Sequence, residues 1–218
     1  MPTPSFVHRF EPATAPEARP VLLLHGTGGD ESDLLPLGRA VAPGAALLSP
    51  RGQVLEHGTP RFFRRLVEGV FDEDDVRRRA IELADFVGDA RERYHLAAPV
   101  ALGYSNGANI AAAILLLRPK SLSGAILLRA MVPLTRVPRA DLGGKPVLIL
   151  SGAQDSIVPA DSAARPSGLL RGAGAAVDHR VLPVGHGLSN GDIALASRWM
   201  QSAAAPTDDG EVAAPARR

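Results

Sequence analysis

The chain of 218 residues contains no cysteine, which removes disulfides, thiolate metal sites and thiol nucleophiles in one step. An excess of charge of one sign is also lacking. The 24 basic and 23 acidic residues give a formal net charge of +1, and neither sign gathers into a long block. No electrostatic footprint for nucleic acid or an anionic membrane follows. Long apolar runs are missing too: the longest, Ile110 to Leu117, falls far short of a membrane span. The N-terminal "MPTPSFVHRFEP" has neither the basic start nor the apolar stretch of a secretion signal. Neither G-x-x-x-x-G-K-[ST] nor G-x-G-x-x-G occurs, so a phosphate loop or dinucleotide turn is not expected. These absences predict a soluble, cytoplasmic protein whose partner is a small molecule, with no nucleic acid and no stable membrane association. Homodimerisation stays open.

What is present is an alternation. The apolar stretches "PVLLL" (20–24), "AALLS" (45–49), "PVALG" (99–103), "GAILL" (124–128) and "PVLILS" (146–151) are continuous, as for strands covered on both faces. "AVDHRVLP" (176–183) is a sixth strand candidate. Between them lie helix-like segments at 32–41, 73–94, 105–117, 159–171 and 189–204. In the clearest, Val76, Ala80, Leu83, Ala84, Val87 and Tyr94 fall near one face. Its acidic start, "DEDD" (72–75), suits the positive end of the helix dipole and reads as a cap. Ser189 to Asp192 opens the last helix like a capping box. Strands alternating with helices predict an α/β fold with a mostly parallel sheet. We expect one domain over 1–204, and a disordered tail over 205–218, "APTDDGEVAAPARR". The segment 51–72 reads as a long loop carrying Phe62, Phe63 and Phe71.

Ligands in such sheets sit beyond the carboxyl ends of the strands, so the residues just after each strand matter most. "GYSNG" (103–107) matches G-x-S-x-G between an apolar strand and an apolar helix. A tight turn there would expose Ser105 Oγ above the sheet, with glycines at 103 and 107 removing Cβ atoms that would collide. Serine needs a base, and the base needs an orienting acid. His186, in "PVGHGLSN", follows the last strand. Asp155, in "LILSGAQDSIVP", follows the one before it, although a turn or cap aspartate would look the same in isolation. The chain order Ser105, Asp155, His186 is the one expected for α/β-hydrolases. "LLLHGTGGDE" (22–31) supplies a glycine-rich turn, and the N–H groups of Thr27 and Asn106 are the expected donors to an oxyanion.

Together "LLHGTGGDE", "GYSNGAN", "LSGAQDSIVP" and "PVGHGLS" resemble the phospholipase/carboxylesterase family of the α/β-hydrolases, small serine esterases related to acyl-protein thioesterases. The resemblance spans roughly 19–200. It implies a twisted sheet with helices on both faces, no metal or organic cofactor, and an acyl-serine formed by Ser105, His186 and Asp155 with Thr27 and Asn106 as oxyanion donors. Asn106 stands where the thioesterase subgroup commonly carries Gln. The missing cysteine excludes dienelactone-hydrolase chemistry, and serine at the elbow excludes a haloalkane dehalogenase.

The expected substrates are short-chain or aromatic carboxylic esters, then thioesters. Acyl transfer and non-catalytic binding on the same scaffold are the rival readings. Phe62, Phe63, Met131, Val132 and Leu134 are candidates for a substrate pocket or for core. Arg51, Arg61, Arg64 and Arg65 fit a solvated basic loop better than an anion site. Asn109 and Tyr104 are open between bracing and packing roles.

Overall fold

The computed structural model describes residues 5–67, 69–135, 140–158 and 160–203; the expected tail at 205–218 lies outside them. In chain order the strands are β1 (His8–Glu11), β2 (Val21–Leu24), β3 (Leu47–Pro50), β4 (Val54–Glu56), β5 (Thr59–Arg61), β6 (Arg65–Val67), β7 (Val70–Phe71), β8 (Val100–Tyr104), β9 (Gly124–Leu128), β10 (Pro146–Gly152) and β11 (Ala176–Leu182). The helices are α1 (Leu35–Val41), α2 (Glu73–Tyr94), α3 (Asn106–Leu117), α4 (Ala160–Ala163), α5 (Arg165–Gly172) and α6 (Asn190–Ala203).

One seven-stranded sheet has the order β1-β3-β2-β8-β9-β10-β11. Only β1 runs antiparallel, against β3; the other pairings are parallel. Strand side chains alternate between faces, and the continuous apolar runs feed two cores. Val21, Leu23, Val100, Leu102, Ile126, Leu128, Leu148 and Leu150 pack with residues of α1 and α6. Leu22, Leu24, Ala101, Ala125, Leu127, Val147 and Ile149 pack with residues of α2, α3 and α5. The chain moves from β2 to β3 on one side, then returns to β8 on the other. Strand order therefore reverses at β2 and β8, the place where ligands bind in open α/β sheets.

The structure corrects three sequence expectations. The helix expected from Ser32 begins at Leu35, and that expected over 159–171 is split into α4 and α5; both α1 and α5 carry proline in their first turn, the one turn where a missing N–H costs nothing. The supposed loop at 51–72 contains two hairpins, β4-β5 and β6-β7. The first turns at His57 and Gly58, whose φ of 51° and 81° suit a two-residue type I′ turn. The cap readings hold: Asp72 accepts from the Asp75 N–H, and Asp192 from the Ser189 N–H.

Backbone proximity at the head of α3 generates a prediction. A Cβ on Gly107 would lie 1.9 Å from the Leu24 carbonyl oxygen, whereas one on Gly88, inside α2, would meet nothing within 4 Å. Urea unfolding is expected to show Gly107→Ala destabilised by about 3 kcal/mol and Gly88→Ala stabilised by about 0.5–1 kcal/mol. Equal effects would refute the packing argument.

Candidate active site

Strand β8 passes into α3 through the single residue Ser105, at φ 51° and ψ −112°. Such a backbone persists only when its surroundings over-determine it. Here the Ser105 N–H donates to the Leu128 carbonyl at 2.8 Å and its own carbonyl accepts from the Asn109 N–H at 3.0 Å. A Cβ on Gly103 would stand 2.5 Å from the Gly107 oxygen, so both glycines of the motif are required by contact.

The loops after β10 and β11 come together in the same way. Ala153 and Gln154 donate their N–H groups to the carbonyls of Leu182 and Val184, and a Cβ on Gly152 would lie 2.5 Å from the oxygens of Val184 and Gly185. This approach brings Asp155 against His186. The imidazole Nδ1 is 2.8 Å from Asp155 Oδ2, and Nε2 is 3.1 Å from Ser105 Oγ. With Nδ1–H facing the carboxylate, Nε2 accepts the serine hydroxyl proton. The line runs inward from half-buried Ser105 to a carboxylate whose side chain is 1% exposed. Burial alone would raise the Asp155 pKa. The Val158 N–H, the His186 imidazole and the Ile157 N–H outweigh it and hold the carboxyl below its ordinary value.

Thr27 lies in the turn after β2, and Asn106 opens α3 directly after Ser105. Among the described residues, neither backbone N–H meets an acceptor, while the neighbouring Gly28 N–H is taken by the Pro60 carbonyl. The Asn106 N–H also opens α3, where the helix dipole is positive. His25 acts elsewhere, as a neutral pin between the exits of β2 and β3. Its Nδ1 meets the Gly26 carbonyl, its Nε2 accepts from the Gly52 N–H, and burial pushes its pKa down.

The asparagines and the tyrosine brace the rim. Asn106 Oδ1 accepts from the Phe62 N–H at 2.8 Å, and Asn109 Oδ1 from the Met131 N–H at 2.7 Å. Tyr104 donates its hydroxyl to the His186 carbonyl at 3.2 Å.

The aromatic pocket candidates need correction. Phe62 and Phe63 are buried in the main core, and so is Leu134. Phe62 packs against the His25 ring at 4.7 Å and Phe63 edge-on to Phe71 at 5.1 Å. Met131 and Val132 are half-buried and line a cleft of about 270 Å³ with Val70, Phe71 and Arg165. None of Ser105, Asp155 and His186 lines it; Met131 is linked to the elbow helix by its N–H, which donates to Asn109 Oδ1. The arginines of the supposed basic loop are paired: Arg51 with Glu31, Arg61 and Arg65 with Glu56, Arg64 with Asp72. Among the described residues, no three His, Asp or Glu side chains gather as metal ligands.

One residue at the site has no sequence signal. Arg129, directly after β9, is fully buried and pairs with Asp192 across 63 positions of chain. Nothing in "LLRAMVP" separates it from a solvated arginine at a strand end.

The chain is 43% identical over 198 residues to "Putative hydrolase MhqD" of Bacillus subtilis (strain 168), covering 90% of this chain and 98% of that one. A carboxylesterase from Bacillus cereus superposes with a TM-score of 0.88 at 43% identity, covering 91% and 94% of the two chains. A carboxylesterase from Mesorhizobium loti gives 0.81 at 36% identity, covering 84% and 88%. No family profile matches the chain.

The depressed Asp155 pKa predicts a pH dependence. Its stabilising contribution is complete above the unfolded value, about 3.9, and is lost as pH falls through the lower folded value. The difference in unfolding free energy between wild type and Asp155→Asn should be constant above about pH 5 and shrink below about pH 4. A difference that holds steady to about pH 2.5 would contradict a depressed carboxyl.

Proposed function

Because the chain belongs to the phospholipase/carboxylesterase family of α/β-hydrolases and hydrolyses ester bonds, we propose that its reaction passes through an acyl-serine on Ser105. The unbroken line Ser105, His186, Asp155, with contacts of 3.1 and 2.8 Å, carries this reading. His186 Nε2 takes the hydroxyl proton as Oγ bonds to the ester carbonyl carbon. The carbonyl π pair moves to oxygen, where the N–H groups of Thr27 and Asn106 receive the charge. Each such donor is worth about 100 to 1000-fold in rate. Collapse of the tetrahedral species breaks the bond to the alcohol, which leaves with the proton from His186. Water, deprotonated by the same imidazole, then releases the acid and restores Ser105. Asp155 keeps the Nδ1 proton in place and faces the imidazolium while it exists.

The substrate in this proposal is a small carboxylic ester with a short or aromatic acyl group, with thioesters next. The 51–72 segment is tied down rather than free to lift as a broad lid: Arg51 pairs with Glu31, and the N–H groups of Phe62 and Arg64 are held by Asn106 and Asp75.

A fluorophosphonate is expected to form a single adduct, at Ser105. A series of p-nitrophenyl esters should show turnover falling from acetate and butyrate to palmitate. Ser105→Ala should lower turnover at least about 10⁴-fold with its melting temperature nearly unchanged. No adduct on folded wild-type protein, or turnover retained by Ser105→Ala, would sink the acyl-serine reading.

A further inference from the structure

We infer that Arg129 is a positioning residue for His186: its buried guanidinium fixes the loop that aims the imidazole at Ser105. The inference rests on the acyl-serine reading above. Arg129 leaves β9 at φ 57°, a backbone that non-glycine residues rarely adopt, and its side chain is 0% exposed. All five N–H directions of the guanidinium fork are spent. Nε donates to the Gly185 carbonyl at 3.0 Å; Nη1 to the Leu150 carbonyl at 3.2 Å and Asp192 Oδ1 at 2.8 Å; Nη2 to the Gly187 carbonyl at 3.0 Å and Asp192 Oδ2 at 2.9 Å.

Gly185 and Gly187 flank His186, and glycine is the residue with most backbone freedom to lose. Pinning both carbonyls removes that freedom where the histidine needs a fixed aim. The carbonyl between them, that of His186, is taken by the Tyr104 hydroxyl, so three consecutive peptide oxygens are held. From the far side Asp192 accepts both the N–H and the hydroxyl of Ser189, which closes the loop onto α6. The Arg129 N–H donates to Leu150, and the preceding residue, Leu128, accepts from Ser105. One residue thus ties together the ends of β9 and β10 and the loop carrying His186, directly beside the elbow.

A pair with Asp192 alone would need only two of these contacts. Lysine keeps the charge but lacks the planar fork, so Arg129→Lys separates the two roles. The Arg129→Met/Asp192→Leu double variant removes both charges and leaves neither buried alone. In each, kcat for p-nitrophenyl acetate should fall by up to about 100-fold, the scale of a 1 Å misplacement, while KM stays within about two-fold. Labelling of Ser105 by fluorophosphonate should slow in parallel. The downfield proton resonance of the His186 Nδ1–H should broaden or shift. A folded variant with kcat within about two-fold of wild type overturns the inference, and so does failure of both variants to fold, which would assign Arg129 to stability. Wild-type protein that takes no label would fail the acyl-serine reading instead; wild type and variants labelled equally fast would fail only this inference.

Discussion

The carboxyl end of the sheet depends on main chains passing closer than side chains permit. At the head of α3 the backbone of Gly107 lies where a Cβ would be 1.9 Å from the Leu24 oxygen, and after β10 Gly152 meets the loop of Val184 and Gly185 at a distance that would place a Cβ 2.5 Å from two oxygens. The first approach turns Ser105 upward at φ 51°. The second brings the chain segment of Asp155 to that of His186. The two contacts act on different loops, yet together they set the 3.1 and 2.8 Å separations on either side of the imidazole. Hydrogen bonds then select one geometry from the arrangements this proximity allows.

Two buried aspartates at this end show how surroundings divide the work of identical side chains. Each has a side chain 1% exposed, and in each burial is the largest influence, opposed by hydrogen bonds that hold the carboxyl below its ordinary value. Asp192 is matched by a full positive charge on Arg129 in a bidentate pair. Removing one partner of such a pair typically costs about 3–5 kcal/mol, because the other charge is left dry and alone. Asp155 is instead held by the N–H groups of Ile157 and Val158, dipoles that fix its orientation without cancelling its charge. Its field therefore remains available to the His186 ring. The neutralised aspartate anchors a loop, and the un-neutralised one faces the His186 imidazole.

Much of this is legible in the sequence because strong physical constraints leave local marks. Strands covered on both faces need continuous apolar residues, so the parallel strands can be read to within a residue or two at most ends. Close approach needs glycine, and Gly103, Gly107 and Gly152 all lie in the motifs that carry the family resemblance. What escapes depends on three-dimensional closure. Phe62 and Phe63 stand in a segment without periodicity, and their burial follows from His25, Phe71 and the hairpins folding over them. Arg129 is a core residue only because Asp192, 63 positions away, arrives in its plane. The hairpin turning at His57 and Gly58 escapes for a simpler reason: its three-residue strands are too brief to show alternation.

The anchoring of the segment beside the site is the last consequence of these contacts. The segment 51–72 is held mainly by its backbone: the N–H groups of Gly52, Phe62 and Arg64 donate to His25, Asn106 and Asp75, and the Pro60 carbonyl accepts from Gly28. Its outward side chains Leu55, Leu66, Val67 and Val70 remain exposed and carry none of that attachment. Substitutions there alter the surface without loosening the rim. Asn106 is the exception, since its side chain holds Phe62 while its own N–H opens α3 beside Ser105. A glutamine in its place would reach one methylene farther and shift the rim relative to the elbow. This position couples the segment around Phe62 to the start of α3 beside Ser105.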